Sequence, residues 1–527
     1  MDTVFVCDAM HPAGPDHLRS LGFDVREQTG LSEEELCAAV GGSAAMLIRS
    51  ATRVTANVME AAPALRIVGR AGVGVDNVDV AEASRRGVMV MNTPEANSVT
   101  TGELAVAHIL ALARRIPEAD RSMRAGRWDK KALVGSEVTG KTLGVIGLGK
   151  IGRVVAERGL GLSMKVVAYD PFLQGECPVA GASLVSLDQL LAGADFVSIH
   201  VPRTEETLGL VDAAAMERMK PTACLVNCAR GGIIDEQDLV AALDRGEIAG
   251  AALDVFVEEP LPDAHPLRQR DDVHLTPHLG ASSEEAQERV SLQIAEQVAD
   301  YLRDETVSCA VNAPFLSVGD NPDLASFITL ARRSTLLLAQ ASGSTIESVK
   351  LTYRGACATW EGEGLRAAAL AGALAPVLDG PVNLVNAPLL ASERGLRITE
   401  ERDPGARDYT NLLVVHARTS DGNDLMVAGT VFLGRPRLVM LDGCGIDAVP
   451  EGEMLLIRNT NEPGVVGAVG TCLGAHGINI EGLHLGVPSD AADSAVALYS
   501  IGRALGPNEL DEIRALDPVL EAHTISL

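Results

Sequence analysis

One stretch, Thr142 to Gly152, constrains the fold of this chain more than any other: TLGVIGLGKIG. The apolar run LGVI leads directly into Gly147-Leu148-Gly149-Lys150-Ile151-Gly152, and a helical pattern follows. That order suits a bound dinucleotide. The first glycine makes a tight turn out of a strand, the second lets backbone approach a pyrophosphate, and the third lets the helix pack close to the sheet. The helix start then offers unpaired N–H groups and partial positive charge to the phosphates. A second β-rich run, MKVVAYD, ends in Asp170, 18 residues beyond Gly152. A carboxylate there suits adenosine ribose hydroxyls and repels a 2′-phosphate, so the expected cofactor is NAD rather than NADP.

The rest of the chain is read around this unit. At 527 residues it is long enough for roughly three or four domains of about 100–200 residues each. Before the fingerprint, strand-like runs (TVFVCD, FDVRE, AAMLIRS, RIVGR, GVMVMNTP) alternate with helical ones (SEEELCAAV, TANVMEAAP, DVAEASRR), the rhythm of a parallel sheet with helices on both faces. After it the rhythm resumes with DFVSIHVP, CLVNCARGG, AGAALDVF and VHLTPH. The fold class expected is therefore α/β, with two doubly wound parallel-sheet units: a flavodoxin-like unit over 1–98 plus 283–310, and a Rossmann unit over 99–282. The apolar helix ELAVAHILALARR should be buried between units or subunits, and the helix after Ser283 is long enough to return to the first unit. A boundary near Asn312-Ala313-Pro314 opens an α+β domain over 316–448. Residues 453–527 read β-α-β-β-α-β, a ferredoxin-like sandwich.

Composition narrows the function. A formal charge of −27 argues against nucleic acid or an anionic membrane as general partners, so an anionic ligand would need a local basic island. Nine cysteines form no CxxC pair, and buried free thiols are the expected state. No metal site is expected. No apolar run has the length of a membrane span, and MDTVFVCDAM lacks the basic start and long apolar core of a signal peptide, so a cytoplasmic location is expected.

Three features fall at C-terminal ends of strands in the second unit, where open sheets bind ligands. Arg230 in NCARGG can fork onto a carboxylate, though it also suits a surface loop. His278 in TPHLGAS is a candidate acid–base, and Glu259 after LDVFVEEP is a carboxylate that could orient it, if the two meet.

NCARGG, LDVFVEEP and TPHLGAS, spaced as they are behind GLGKIG, resemble the D-isomer-specific 2-hydroxyacid dehydrogenases, as do RAGVGVDNVD at 70–79 and NTPEANS at 92–98. The likeness covers residues 1–310. NEPGVVGAVGTCLGAHGINIEG at 461–482 resembles an ACT regulatory domain, and the whole order of domains is similar to the long members of the family that oxidise D-3-phosphoglycerate to 3-phosphohydroxypyruvate, the first step of L-serine synthesis. The resemblance implies that Arg230 holds the substrate carboxylate, His278 takes the hydroxyl proton and Glu259 orients it. It implies NAD contacts from Gly147, Gly149, Lys150, Ile151, Gly152, Asp170, Val201, Cys228, Ala229, Asp254, Gly280 and Ala281. Substrate would meet Gly72 and Val73, and its phosphate Arg49, Ser50, Asn97 and Ser98, with Lys130 reaching over from a neighbouring subunit. Val73 stands where the family often has threonine, so a side-chain hydrogen bond from it to cofactor is lost. L-Serine as effector would meet Asn459, Asn461 and Asn479, whose amides can both donate to a carboxylate and accept from an ammonium. A homodimer or homotetramer is implied. Two alternatives stay open: a dehydrogenase for another 2-hydroxy acid such as glycerate or 2-hydroxyglutarate, and a non-catalytic, corepressor-like sensor of NAD(H).

Overall fold

In the computed structural model the first βα run becomes a five-stranded parallel sheet of β1 (Thr3–Val6), β2 (Asp24–Glu27), β3 (Ala45–Ile48), β4 (Ile67–Arg70) and β5 (Met89–Asn92), ordered β2-β1-β3-β4-β5. The structure describes all residues except 95, 305, 306, 308, 314–322, 379, 406–408 and 488–492. Strands β1 and β3 are buried at every position, as continuous apolar runs must be when helices cover both faces. Separate apolar clusters fill those two faces. One is closed by the helix Glu284–Asp304, which returns from far along the chain to lie on the helix Ala13–Ser20 and over β4. It comes so close that a Cβ on Gly69 would stand 2.8 Å from Val298 and 2.9 Å from Ile294.

The second sheet has seven strands, all parallel: β6 (Thr142–Ile146), β7 (Lys165–Tyr169), β8 (Ala182–Leu184), β9 (Phe196–Ile199), β10 (Cys224–Asn227), β11 (Gly250–Leu253) and β12 (Val273–Leu275). Their order, β12-β11-β10-β9-β6-β7-β8, reverses at β6, and the crevice there opens at the C-terminal strand ends. The apolar helix expected between units runs from Ser98 to Arg114 and lies on this sheet, with Ala105, Ile109 and Ala113 packed among Leu143, Val145 and Val155. Small residues let it seat closely: a Cβ on Gly102 would be 2.7 Å from Val154.

Beyond the dehydrogenase-like half, Asn312 still belongs to the first unit, accepting from Val90 N–H and donating to Val88 O at 2.9 Å each. The expected boundary at Pro314 lies outside the described residues. A six-stranded mixed sheet follows, β13 (Ile346–Gly355), β14 (Arg397–Asp403), β15 (Asn411–Thr419), β16 (Asp424–Phe432), β17 (Arg435–Leu441) and β18 (Cys444–Ala448), in the order β14-β13-β15-β16-β17-β18. The packed helices Leu324–Ser342 and Glu363–Leu374 cover it. The C-terminal part is the expected β-α-β-β-α-β: β19 (Glu453–Thr460), β20 (Ile480–Gly486), β21 (Ser494–Ile501) and β22 (Val519–Ser526), antiparallel in the order β20-β21-β19-β22.

These last two parts are not separate globules. Along β19, Leu455 and Ile457 point to the domain's own helices, among Val469, Leu473 and Ile513. Met454 and Leu456 point the other way, into one cluster with Leu337, Leu338 and Leu441 of the preceding domain. Period-two alternation thus divides one strand between two cores. Arg458 bridges the same seam, 2.5 Å from both Asp442 and Glu521. The preceding domain in turn rests on the first unit, where Asn383 donates to Gly87 O at 2.7 Å and Val385 enters that unit's core. Among the described residues, no helix is long and apolar enough to cross a membrane.

Candidate active site

The glycine loop leaves β6 at Gly147, whose φ is +88°. A side chain there would meet His200 O and Val201 Cγ1, each at 2.7 Å, so Val201 is its direct neighbour. At Gly152 a Cβ would fall 2.0 Å from Gly147 O, which is why helix and strand can pack this tightly. Gly149, by contrast, faces open space and caps the helix Lys150–Gly161 without a side chain over its first N–H groups. Asp170 stands across from it at the tip of β7, accepting from Leu148 N–H at 2.9 Å and Phe172 N–H at 3.0 Å. A cradle open at Gly149, with bare helix N–H groups and a carboxylate at its rim, fits NAD.

Across the crevice, His278 Nδ1 lies 2.7 Å from Glu259 Oε2. The other Glu259 oxygen accepts from Phe256 N–H at 3.0 Å. Burial alone would raise the Glu259 carboxyl, but the hydrogen bonds from His278 and Phe256 and the charges of His278 and Arg230 outweigh it, and the net shift is downward. Glu259 is thus a carboxylate that fixes the ring, leaving Nε2 to face the cleft.

His278 has a left-handed backbone, φ +54°, which a residue with a side chain rarely adopts. Asp254 holds it there. Its carbonyl accepts from His278 N–H at 2.9 Å, Oδ1 from Leu279 N–H at 2.7 Å and Thr276 Oγ1 at 2.6 Å, and Oδ2 from Gly280 N–H at 2.9 Å. Asp254 has no exposed surface, so its whole side chain is committed to the loop 276–280. Buried His108 backs Thr276 at 3.2 Å, and Thr101 Oγ1 donates to Gly280 O at 2.7 Å. Cys228 is buried beside Asp254, and burial followed by that negative charge pushes its thiol up, which makes it inert. Ala229 N–H is pinned by Asn227 Oδ1 at 3.0 Å.

Arg230 reaches from the β10 end to the first unit, 3.4 Å from Asp76 and against Gly74. There it meets two more arginines. Arg70, at the end of β4, folds over Gly72 and keeps its buried Nε without a partner among the described residues. Burial, then the charges of Arg230 and Arg49, push it down to about 10, still charged at neutral pH. Arg49 is set by Asp8, which accepts its N–H at 2.5 Å, and lines a narrow cleft with His11, Ala71 and Ala281. In a chain of net charge −27 this is the local basic island that an anionic ligand requires. Ser50 is exposed at the β3 end. Gly72 N–H donates to Thr93 Oγ1 at 2.8 Å, and Val73 O accepts from Asn92 at 2.5 Å, so this backbone is held from below. Asn97 and Ser98 start the helix Ser98–Arg114, both buried, with Asn97 Oδ1 and Ser98 Oγ unpartnered among the described residues. Buried polar atoms normally have partners, so this pair is out of the ordinary for a helix start.

Two sets are not brought together. Lys130 is exposed on the loop after the helix Ile116–Arg124, with no hydrogen bond or ion pair to the cleft among the described residues. Asn459 is buried, its Oδ1 without a partner among the described residues, and Asn461 N–H follows it, donating to Asp493 O. Asn479, however, stands before β20 at the opposite end of the sheet, because Ile480 and Glu453 both pair with Ile501. Within one chain that leaves about 20 Å between Asn459 and Asn479, at roughly 3.3 Å per residue.

Arg70 and the anchoring role of Asp254 are not apparent from sequence reasoning. For Arg70 a signal exists, since RAGVGVD follows a strand in the same way as the Arg230 loop does; only the turning of the first unit toward the second tells that the two face one cleft.

Two parallel units closing on a carboxylate-backed histidine and an arginine make a hydride-transfer core for 2-hydroxy acids. Residues 106–280 match the family model described as D-isomer specific 2-hydroxyacid dehydrogenase, NAD binding domain, and residues 323–442 match the D-3-phosphoglycerate dehydrogenase intervening domain. The chain is 40% identical to D-3-phosphoglycerate dehydrogenase of Archaeoglobus fulgidus over 526 residues, 99% of this chain and 100% of that one. It is also 40% identical to the Synechocystis enzyme of the same name, over 100% of this chain and 95% of that one. It belongs to the D-3-phosphoglycerate dehydrogenase family. Among solved structures, NAD-dependent formate dehydrogenase from Staphylococcus aureus in complex with NAD matches at TM-score 0.53 and 29% identity, covering 58% of this chain and 97% of its own. A protein from Thermus thermophilus matches at TM-score 0.55 and 35% identity, covering 59% of this chain and 99% of its own.

Proposed function

We propose that this chain oxidises D-3-phosphoglycerate with NAD⁺ to 3-phosphohydroxypyruvate. The observation that carries the reading is the 2.7 Å His278–Glu259 pair set opposite an island of three arginines. Arg230 binds the substrate carboxylate and aligns C2 beside the nicotinamide. His278 Nε2 takes the C2 hydroxyl proton, and Glu259 stabilises the imidazolium that forms. When bound, NAD⁺ accepts the hydride that leaves C2. Gly147, Gly149, Lys150, Ile151 and Gly152 hold its pyrophosphate and Asp170 its ribose. Asp254 is a positioning residue that acts through the loop carrying His278, Gly280 and Ala281.

Arg49 and Arg70 bind the phosphate, with Asn97 and Ser98 completing its shell and Lys130 arriving from a second copy. The test is NADH formation from 3-phosphoglycerate, glycerate and 2-hydroxyglutarate. Arg70→Ala should weaken kcat/KM for phosphoglycerate by about ten- to a hundredfold, the worth of one charged hydrogen bond, and leave the unphosphorylated acids unchanged. Equal loss on all three would refute the phosphate assignment.

L-Serine is the proposed effector. Because Asn459 and Asn479 lie at opposite ends of one sheet, an effector touching both needs Asn479 from a second chain, so feedback and self-assembly stand or fall together. Saturating L-serine that alters neither rate nor thermal midpoint would remove this part of the reading.

A further inference from the structure

The C-terminal domain carries a cluster of donor atoms that neither hydride transfer nor amino-acid recognition uses. The helix Val465–Ala475 and its C-cap place Cys472 and His476 four residues apart, one above the other on a single face. The helix Pro507–Arg514 brings Glu512 against them. The Cys472 Sγ, a ring nitrogen of His476 and a Glu512 oxygen all lie within 4.8 Å of one another, and His476 Nε2 is 2.7 Å from Glu512 Oε2.

The far side of the ring supplies a second, independent observation. Glu509 Oε1 faces His476 Nδ1 at 3.7 Å. Glu509 is itself anchored, taking both Nη1 and Nη2 of Arg503 at 2.9 and 2.6 Å and Gly506 N–H at 2.7 Å. The anchored Glu509 carboxylate thus stands behind one ring nitrogen while the other faces Glu512, the placement of an outer carboxylate that supports metal-bound histidines. Nε2 and the Glu512 oxygen face each other at 2.7 Å with the Cys472 thiol beside them, so three metal-ligating atoms converge on one point.

We propose that Cys472, His476 and Glu512 form a binding site for one zinc-class divalent cation, with solvent as fourth ligand. Thiolate and imidazole together select zinc, cobalt and their neighbours over magnesium or calcium, which take oxygen. With bonds of about 2.0–2.3 Å, tetrahedral donors sit roughly 3–4 Å apart, and the largely exposed Glu512 side chain is free to adjust to that spacing. On binding, the Cys472 thiol releases its proton to solvent and the sulfur bonds the ion. The ion then ties the domain's two helices together.

The test uses the full-length, tag-free chain, stripped with chelator and dialysed against micromolar Zn²⁺. Wild type should take up one equivalent more than Cys472→Ser. With Co²⁺ it should show a thiolate-to-cobalt charge-transfer band that Cys472→Ser lacks, and Glu512→Gln, a change at an exposed position, should weaken binding at least about tenfold. Equal uptake by wild type and Cys472→Ser, or a cobalt spectrum with no thiolate band in wild type, overturns the proposal and leaves a plain His476–Glu512 ion pair.

Discussion

At the scale of residues, the site is a set of groups whose charge states are set by their neighbours. Against its burial, Glu259 is held as a carboxylate by the hydrogen bonds from His278 and Phe256 N–H, so it orients the His278 ring. Glu259→Gln replaces that carboxylate with a neutral amide, so kcat for NADH formation should fall by about ten- to a hundredfold while KM for phosphoglycerate changes little. His278→Ala should lower kcat by about 10²–10⁴, measured as NADH formation. His200, hydrogen-bonded to Ser198 at 2.8 Å, is pushed by burial down to about 3. Its folded-state value lies below its unfolded one, so between the ordinary imidazole range and pH 3 the unfolded chain binds the extra proton, and stability falls as pH falls through that window. His200→Asn should flatten this slope in denaturant midpoints taken across pH 4–7. Arg230, Glu259 and His278 were legible in the sequence because each follows a strand in a glycine- or proline-marked loop. Arg70 was not singled out, and Asp254 was expected only as a cofactor contact and not as the anchor of the His278 loop, since such a role comes only from what folds onto it.

At the scale of elements, both parallel sheets were legible because buried strands read as unbroken apolar runs between helical stretches. The edge strand β8, with no fully buried position, leaves no apolar run and was not legible, whereas the equally short but buried β12 was. The glycine loop shows how one atom controls an element. A Cβ at residue 152 meets a backbone carbonyl at 2.0 Å, which cannot yield as a side chain can. Gly152→Ala should therefore push the helix Lys150–Gly161 off the sheet, costing about 1–3 kcal/mol by thermal or denaturant unfolding and weakening NAD binding in titrations.

At the scale of the whole molecule, the sequence suggested a third and a fourth domain, but not that they share a core. The signal was present in EMLLIRN: four consecutive apolar residues, Met454 to Ile457, where a sheet with one wet face would alternate. Leu456→Ala should cost about 2–5 kcal/mol and lower the unfolding transition of residues 324–527 as one unit, visible as a single shifted peak in calorimetry rather than two. The acidic surface and the arginine island belong to this scale too: repulsion from the bulk of the protein is offset only at the cleft, so substrate affinity should depend on ionic strength.

For anyone recombining such enzymes, the sheet divided between two cores sets the grain of the material. A fusion that transplants only residues 453–527 would carry Met454, Leu456, Val496 and Leu498 into water as a bare greasy flank, and would leave its donor uncapped. A cut between Asn312 and Leu324 instead keeps that shared core whole and leaves Val385, which packs into the first unit, as the contact to be re-covered.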